Sequence, residues 1–178
     1  MERFEIMLVL FKIIWLRMVV FFHMSTPATV PQQPPAPPTP PAAPVYLWDT
    51  HDDARHSVRL ICDEEGLPLT PTVLIDGKLY LEKDVVCACI EQESHFLTNP
   101  KPNQNKDPKT GAVWSTDYGI VQVNDHFHIG PGKDFPSVEY VIANPEACVR
   151  WMVRIMKATG KLQPWSSYTT GAFKKYLP

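Results

Sequence analysis

The hydrophobic and polar positions change character along the chain. Residues 6–22 are apolar almost throughout, interrupted by Lys12 and Arg17. Residues 26–44 are dense in proline and show no period. From Val45 onward the pattern becomes amphipathic and elements can be read from it. Ala54, Val58, Ile61 and Cys62 recur at helical spacing, with Asp49 or Thr50 as a cap and Gly66 as a stop before Pro68, predicting a helix from near His51. Thr72–Leu81 sets Asp76-Gly77 between apolar runs, a hairpin signal. The same stretch also reads as a loop into a following helix capped near Asp84. In that helix Val86, Cys89 and Ile90 share the face of Glu93. Asp107–Gly111 is a turn signal, and Trp114–Asn124 reads as β structure rich in Val, Ile, Thr and Tyr. Asn144-Pro145-Glu146 opens a helix as cap and first-turn proline. Its stripe is Cys148, Met152, Ile155 and Met156, widened by Val149 and Val153, and Gly160 ends it.

Two acids stand out against this pattern. Glu93 ends an apolar stripe, where a carboxyl group loses water and its pKa rises. A raised pKa suits a general acid near neutral pH. Asp117 sits among Ser115, Thr116 and Tyr118, polar groups able to solvate a charge. Two carboxylates in opposite environments are the arrangement that separates acid from nucleophile or stabiliser. Each has a plainer reading alone, Glu93 as a solvated helix-end carboxylate and Asp117 as an Asx-type turn residue.

Other motifs point nowhere further. Thr70–Gly77 is similar to a late strand of thioredoxin-like proteins, but no Cys-x-x-Cys lies upstream. His126 and His128 flank Phe127 without a third zinc ligand at suitable spacing, and read as loop histidines. Gly130–Lys133 lacks the phosphate-loop pattern and reads as a turn.

Composition narrows the classes. The 178 residues carry 17 Lys and Arg against 19 Asp and Glu, formally −2. That balance offers no basic patch for nucleic acid and little long-range steering towards an anionic cell wall. Most of the 19 prolines fall in one block, which favours an extended polyproline spacer over a ligand for a partner's aromatic groove. The apolar segment is short for a membrane span. Its Leu, Ile, Val and Phe residues outweigh the cost of Lys12 by a small margin. Residues 1–25 therefore read as a signal-anchor or export segment, 26–44 as a linker and 45–178 as the folded domain; translation from Met24 is the alternative start. Cys62, Cys87, Cys89 and Cys148 permit either a disulfide involving Cys62 or no pairing at all.

Glu93–Ser94–His95–Phe96, followed by Ser115–Thr116–Asp117–Tyr118–Gly119–Ile120–Val121–Gln122–Val123–Asn124, resembles the lysozyme-like superfamily. The second motif is close to the chicken-type lysozyme form, and the first is shared with soluble lytic transglycosylase (SLT) domains. The resemblance runs from about Val85 to about Tyr168 and leaves the first third of the chain uncovered. It implies an α+β fold, mainly helical, with a small antiparallel sheet carrying Asp117 beside a cleft. It implies cleavage of the β-1,4 bond between N-acetylmuramic acid and N-acetylglucosamine in peptidoglycan glycan strands, without cofactor or metal. By the same resemblance Glu93 is the general acid and Asp117 the nucleophile or electrostatic stabiliser. Tyr118, Gln122 and Asn124 fall near the sugar, and Trp165 matches the tryptophan that packs against the catalytic glutamate. Tyr168–Gly171 resembles the Tyr-Asn-Ala-Gly of SLT domains, with Thr169 in place of the asparagine, and the resemblance implies that Trp165 and Tyr168 also contact the substrate; the plainer reading makes both core aromatics.

The product is left open. A lysozyme lets water finish the reaction; a lytic transglycosylase closes a 1,6-anhydro ring with one glutamate as acid and base. Asp117 favours the first, the Glu-Ser and Tyr-x-x-Gly motifs the second. The interval between the acids is longer than in chicken-type lysozymes, and Asn99–Gly111 accounts for it, altering one end of the cleft. The rival classes are an inactive glycan-binding module and a structural subunit of an envelope or virion machine. The expected location is extracytoplasmic, either membrane-anchored or secreted into the envelope.

Overall fold

The computed structural model describes residues 44–178. The apolar segment 1–25 and, apart from Pro44, the proline-rich linker lie outside the described residues. Among the described residues no helix is long and apolar enough to cross a membrane.

Helix α1 (His51–Glu64) begins where the Thr50 side chain accepts a hydrogen bond from the Asp53 amide. It buries Ala54, Val58, Ile61 and Cys62, as the spacing predicts. Strands β1 (Val73–Ile75) and β2 (Lys78–Tyr80) then pair antiparallel, Leu74 opposite Leu79. Asp76 and Gly77 take φ of 49° and 82°, the left-handed pair that a two-residue hairpin turn of matching twist needs.

Helix α2 (Glu82–Ser94) starts two residues before Asp84, with Leu81 at the cap position and no side-chain cap. Asp84 is therefore not the cap but lies inside the first turn, where its carboxylate pairs with Arg59 at 2.8 Å. Val85, Val86, Cys87, Ala88, Cys89 and Ile90 are all buried. A helix apolar on all sides belongs at the centre of a core. Here α1, the later helix α5 (Pro145–Thr159), α6 (Ser166–Thr170) and a final 3₁₀ turn (Ala172–Tyr176) pack around it.

The second sheet is three-stranded and antiparallel, in the order β3 (Asn103–Lys106), β4 (Val113–Tyr118), β5 (Val123–Asn124). Trp114–Asn124 is therefore not one continuous strand. The chain leaves β4 at Tyr118 and turns through Gly119 (φ 72°) and Gln122 (φ 52°) into β5. Gly119 is required twice over: its backbone is left-handed, and a Cβ there would lie 2.8 Å from Val141 Cγ1. There are thus two small sheets, not one.

Two short helices, α3 (Asp125–His128) and α4 (Val138–Ala143), follow where the pattern gave no element. His126 and His128 accordingly sit in a helical turn, not a loop. Helix α5 has Pro145 in its first turn and buries Cys148, Val149, Met152, Val153 and Met156. Ile155 lies at the edge of that stripe, half-buried. Asn144 does not cap α5 with its side chain; its amide donates to the Tyr140 carbonyl at 2.8 Å and closes α4 instead. Gly160 (φ 67°) ends α5.

The four cysteines are free and buried. Burial pushes the Cys87 thiol up to about 11 and Cys148 to about 12, so they serve as small hydrophobes. Arg150 ties α5 to the end of α1 through Glu64 (2.6 Å) and Glu65 (3.0 Å). The architecture is α+β, a helical core with two small antiparallel sheets.

Candidate active site

A cleft of about 410 Å³ opens between the three-stranded sheet and the helices. Its helical wall is Glu93, Trp151 and Pro164–Ser166. The sheet wall is Asn103, Asn105, Trp114, Asp117 and Asn124, with Gln122 from the turn and Phe127 and His128 from α3.

Glu93 stands in the last turn of α2. The helix stops immediately beyond it because His95 and Phe96 adopt φ of 52° and 59°, unusual for side chains of that size. The stop returns Phe96 to the core at 3% exposure, its ring edge against His51 at 5.1 Å. Glu93 is thus held at a helix end that is itself packed down. Its Oε1 is buried without a hydrogen-bond partner. Burial is the main reason its pKa is raised, and the Asp117 charge adds to the rise. The Ser167 hydroxyl and amide lie near enough to oppose it. Neither closes a hydrogen bond on Oε1, and Ser167 Oγ is itself buried and unpartnered.

Asp117 lies in β4 and is held by amides. Asn103 donates to Oδ2 at 3.0 Å and Asn124 to Oδ1 at 2.7 Å. Asn105 reaches both oxygens at 3.1 Å. Ser115, expected to solvate Asp117, is one step removed: its buried Oγ accepts from Asn105 and Asn124 and so orients them. Strand geometry explains the set. Ser115 and Asp117 project on one face of β4, and the register places Asn103 opposite Asp117, Asn105 opposite Ser115 and Asn124 opposite Asp117. Between Asn105 and Lys106 the register shifts, leaving Trp114 as the extra residue of a bulge. A bulge re-aims side chains, and Trp114 joins Asp117 in the cleft.

Trp165 is 5% exposed, and its indole N–H donates to the Val121 carbonyl at 2.6 Å. It thereby ties the helical wall to the turn between β4 and β5. Its ring meets Trp151 at 5.4 Å in an edge-on arrangement. Gln122 enters the cleft from a left-handed backbone, its side-chain amide donating to the Gly119 carbonyl at 3.1 Å.

Glu93, Asp117, Gln122, Asn124 and Trp165 thus come together. Tyr118 and Tyr168 do not line the cleft. Tyr118 follows Asp117 in an alternating strand, so its side chain goes to the opposite face and packs against the core. Tyr168 stacks on Phe173 at 5.2 Å and 16°. The pattern reading missed Asn103, Asn105, Trp114, Phe127, His128 and Trp151. Alternation from Asp117 marks its own face, but cross-strand partners follow only from the register.

Among the described residues no group of three or more His, Cys, Asp or Glu side chains is placed to hold a metal ion. No protein-family model matches the chain, and comparison with curated proteins gives no match.

Proposed function

We propose that the chain has a lysozyme-like fold and cleaves peptidoglycan glycan strands at the β-1,4 bond between N-acetylmuramic acid and N-acetylglucosamine. One observation carries the reading. A single cleft holds a desolvated carboxyl, Glu93, together with a carboxylate saturated by hydrogen-bond donors, Asp117. Glycoside cleavage needs a proton for the leaving oxygen and negative charge beside the oxocarbenium-like transition state. Glu93 supplies the proton. Asp117 supplies the charge; its oxygens already accept from three amides, so a covalent bond to the sugar would displace one of them. This favours an electrostatic stabiliser over a nucleophile. Trp165 lines the cleft on the same wall as Glu93, and Trp114 and Phe127, 50% and 59% exposed, offer ring faces to sugars.

After the glycosidic bond breaks, Glu93 is a carboxylate and can take a proton from the attacking group. In hydrolysis that group is water and the product has a reducing end. In the anhydro route it is the 6-hydroxyl of the muramic residue itself. The amide-held Asp117 favours hydrolysis. In this reading the enzyme works outside the cytoplasm, secreted or anchored to the membrane through residues 1–25.

The test is mass spectrometry of soluble fragments released from purified peptidoglycan by the full chain, with Glu93→Gln as control. Reducing muramic ends, absent from the control, are expected. Anhydro ends would move the enzyme to the transglycosylase route. No fragments from a folded protein that binds the wall would overturn the enzymatic reading in favour of a binding module.

A further inference from the structure

His128 lines the cleft, yet the acid chemistry above leaves it unused. Its Nδ1 lies 2.7 Å from Asp134 Oδ2. Its ring meets Trp151 at 4.8 Å and 64°. Asp134 is not part of the cleft lining, so one ring edge is committed behind the wall. A carboxylate on Nδ1 keeps the N–H on that nitrogen and leaves Nε2 as the polar atom for a ligand. The side chain is 29% exposed, open to a ligand yet held in one orientation by Asp134 and Trp151.

The surrounding charges give this imidazole a distinct place. Its own helix carries Asp125 and His126, and the following turn carries Lys133 and Asp134. Lys133 Nζ is committed to the carbonyls of Asp125 and His126. Helix α5 presents the uncharged Trp151. Across the cleft stand the carboxyl groups of Glu93 and Asp117. No Lys or Arg lines the cleft, so His128 is the lining residue able to become a cation.

Within the glycan-cleaving reading, on which this inference rests, we propose that His128 recognises the lactyl carboxyl group of N-acetylmuramic acid, with Asp134 as its positioning residue. Muramic acid differs from N-acetylglucosamine by that ether-linked group. The carboxyl is an anion in a strand stripped of peptides and an amide in one that bears them. An imidazolium N–H at Nε2 donates to either, most strongly to the anion. The cleft should therefore tell muramic-containing strands from chitin-like ones, and should favour strands stripped of peptides.

The experiment is calorimetric titration of the full chain carrying Glu93→Gln, which suppresses turnover. The probes are a hexasaccharide alternating N-acetylglucosamine and N-acetylmuramic acid with free lactyl carboxylates, and an N-acetylglucosamine hexasaccharide lacking them. The muramic probe should bind about tenfold tighter than the other. Adding His128→Gln should cut that preference to about twofold or less, chiefly by weakening the muramic probe. Asp134→Asn should cut it part of the way. A preference that survives His128→Gln, or equal weakening of both probes, overturns the assignment. If both probes bind alike before His128 is changed, only the role of His128 falls. If neither probe binds, the glycan reading falls and this inference with it.

Discussion

The two walls of the cleft treat a carboxyl group in opposite ways. On the helical wall, Glu93 stands in the last turn of a helix whose middle is buried on every side, and its Oε1 finds no partner. On the sheet wall, Asp117 accepts from Asn103, Asn105 and Asn124. The same functional group is pushed towards its neutral form on one side and offered only donors on the other. Neither environment is a local accident. The first follows from packing α2 into the middle of the core, the second from a register that puts asparagine opposite Asp117 on both neighbouring strands. The contrast is between a desolvated carboxyl and a carboxyl enclosed by amide donors, facing the same cleft.

The most severe way to break the contrast is to remove the proton. Glu93→Gln keeps the shape and should lower glycan cleavage by about 10³-fold, measured as soluble fragments released per unit time. A fully active Glu93→Gln protein would end the acid assignment. Removing the charge is the next step. Asp117→Asn sets an amide against three amide donors and should cost about 10²-fold in a hydrolase. A loss of only a few-fold, together with anhydro ends, would mean that the sheet wall positions substrate and does not stabilise charge. Smaller still is the loss of one donor. Asn105→Ala leaves Asn103 and Asn124 on Asp117 and should lower the rate about tenfold without abolishing it. Activity unchanged in that variant would show that the amide cage is redundant.

The helical half of this arrangement was far more legible in the sequence than the sheet half. Helical spacing marks the buried faces of α1 and α5, and the Val86, Cys89, Ile90 stripe points to a desolvated Glu93. Asp76-Gly77 announces its own turn because two consecutive left-handed residues have few other solutions. Asn103–Lys106 offers no such signal: Asn-Gln-Asn-Lys has neither apolar alternation nor β-branched residues, and it is a strand because β4 pairs with it. The asparagine cage is a product of pairing and is invisible along one chain segment. Helices α3 and α4, at four and six residues, are too short to display a period. The bulge at Trp114 defeats simple alternation for the same tertiary reason. Motif resemblance places Tyr118 and Tyr168 at the sugar, but Tyr118 packs against the core and Tyr168 stacks on Phe173.

The smallest effect would sharpen the contrast most, because it needs no substrate. Burial holds the Glu93 pKa in the folded chain above its unfolded value. As pH rises, the unfolded chain therefore loses this proton first. The stability the protonated group contributes is complete below the ordinary carboxylate range and is lost as pH climbs through the raised value. Glu93→Gln has no proton to lose. The variant should be more stable than the natural chain at neutral pH, by about 1 kcal/mol, with the difference shrinking in acid. Urea denaturation of both proteins at acidic and neutral pH measures it. Asp117→Asn is expected to destabilise in the same assay, because its donors lose an acceptor and face another donor. Stabilisation from one substitution and destabilisation from the other would be the contrast between the walls expressed as folding energy. If Glu93→Gln gains nothing at neutral pH, the carboxyl is not desolvated, and the helical wall has no special acid.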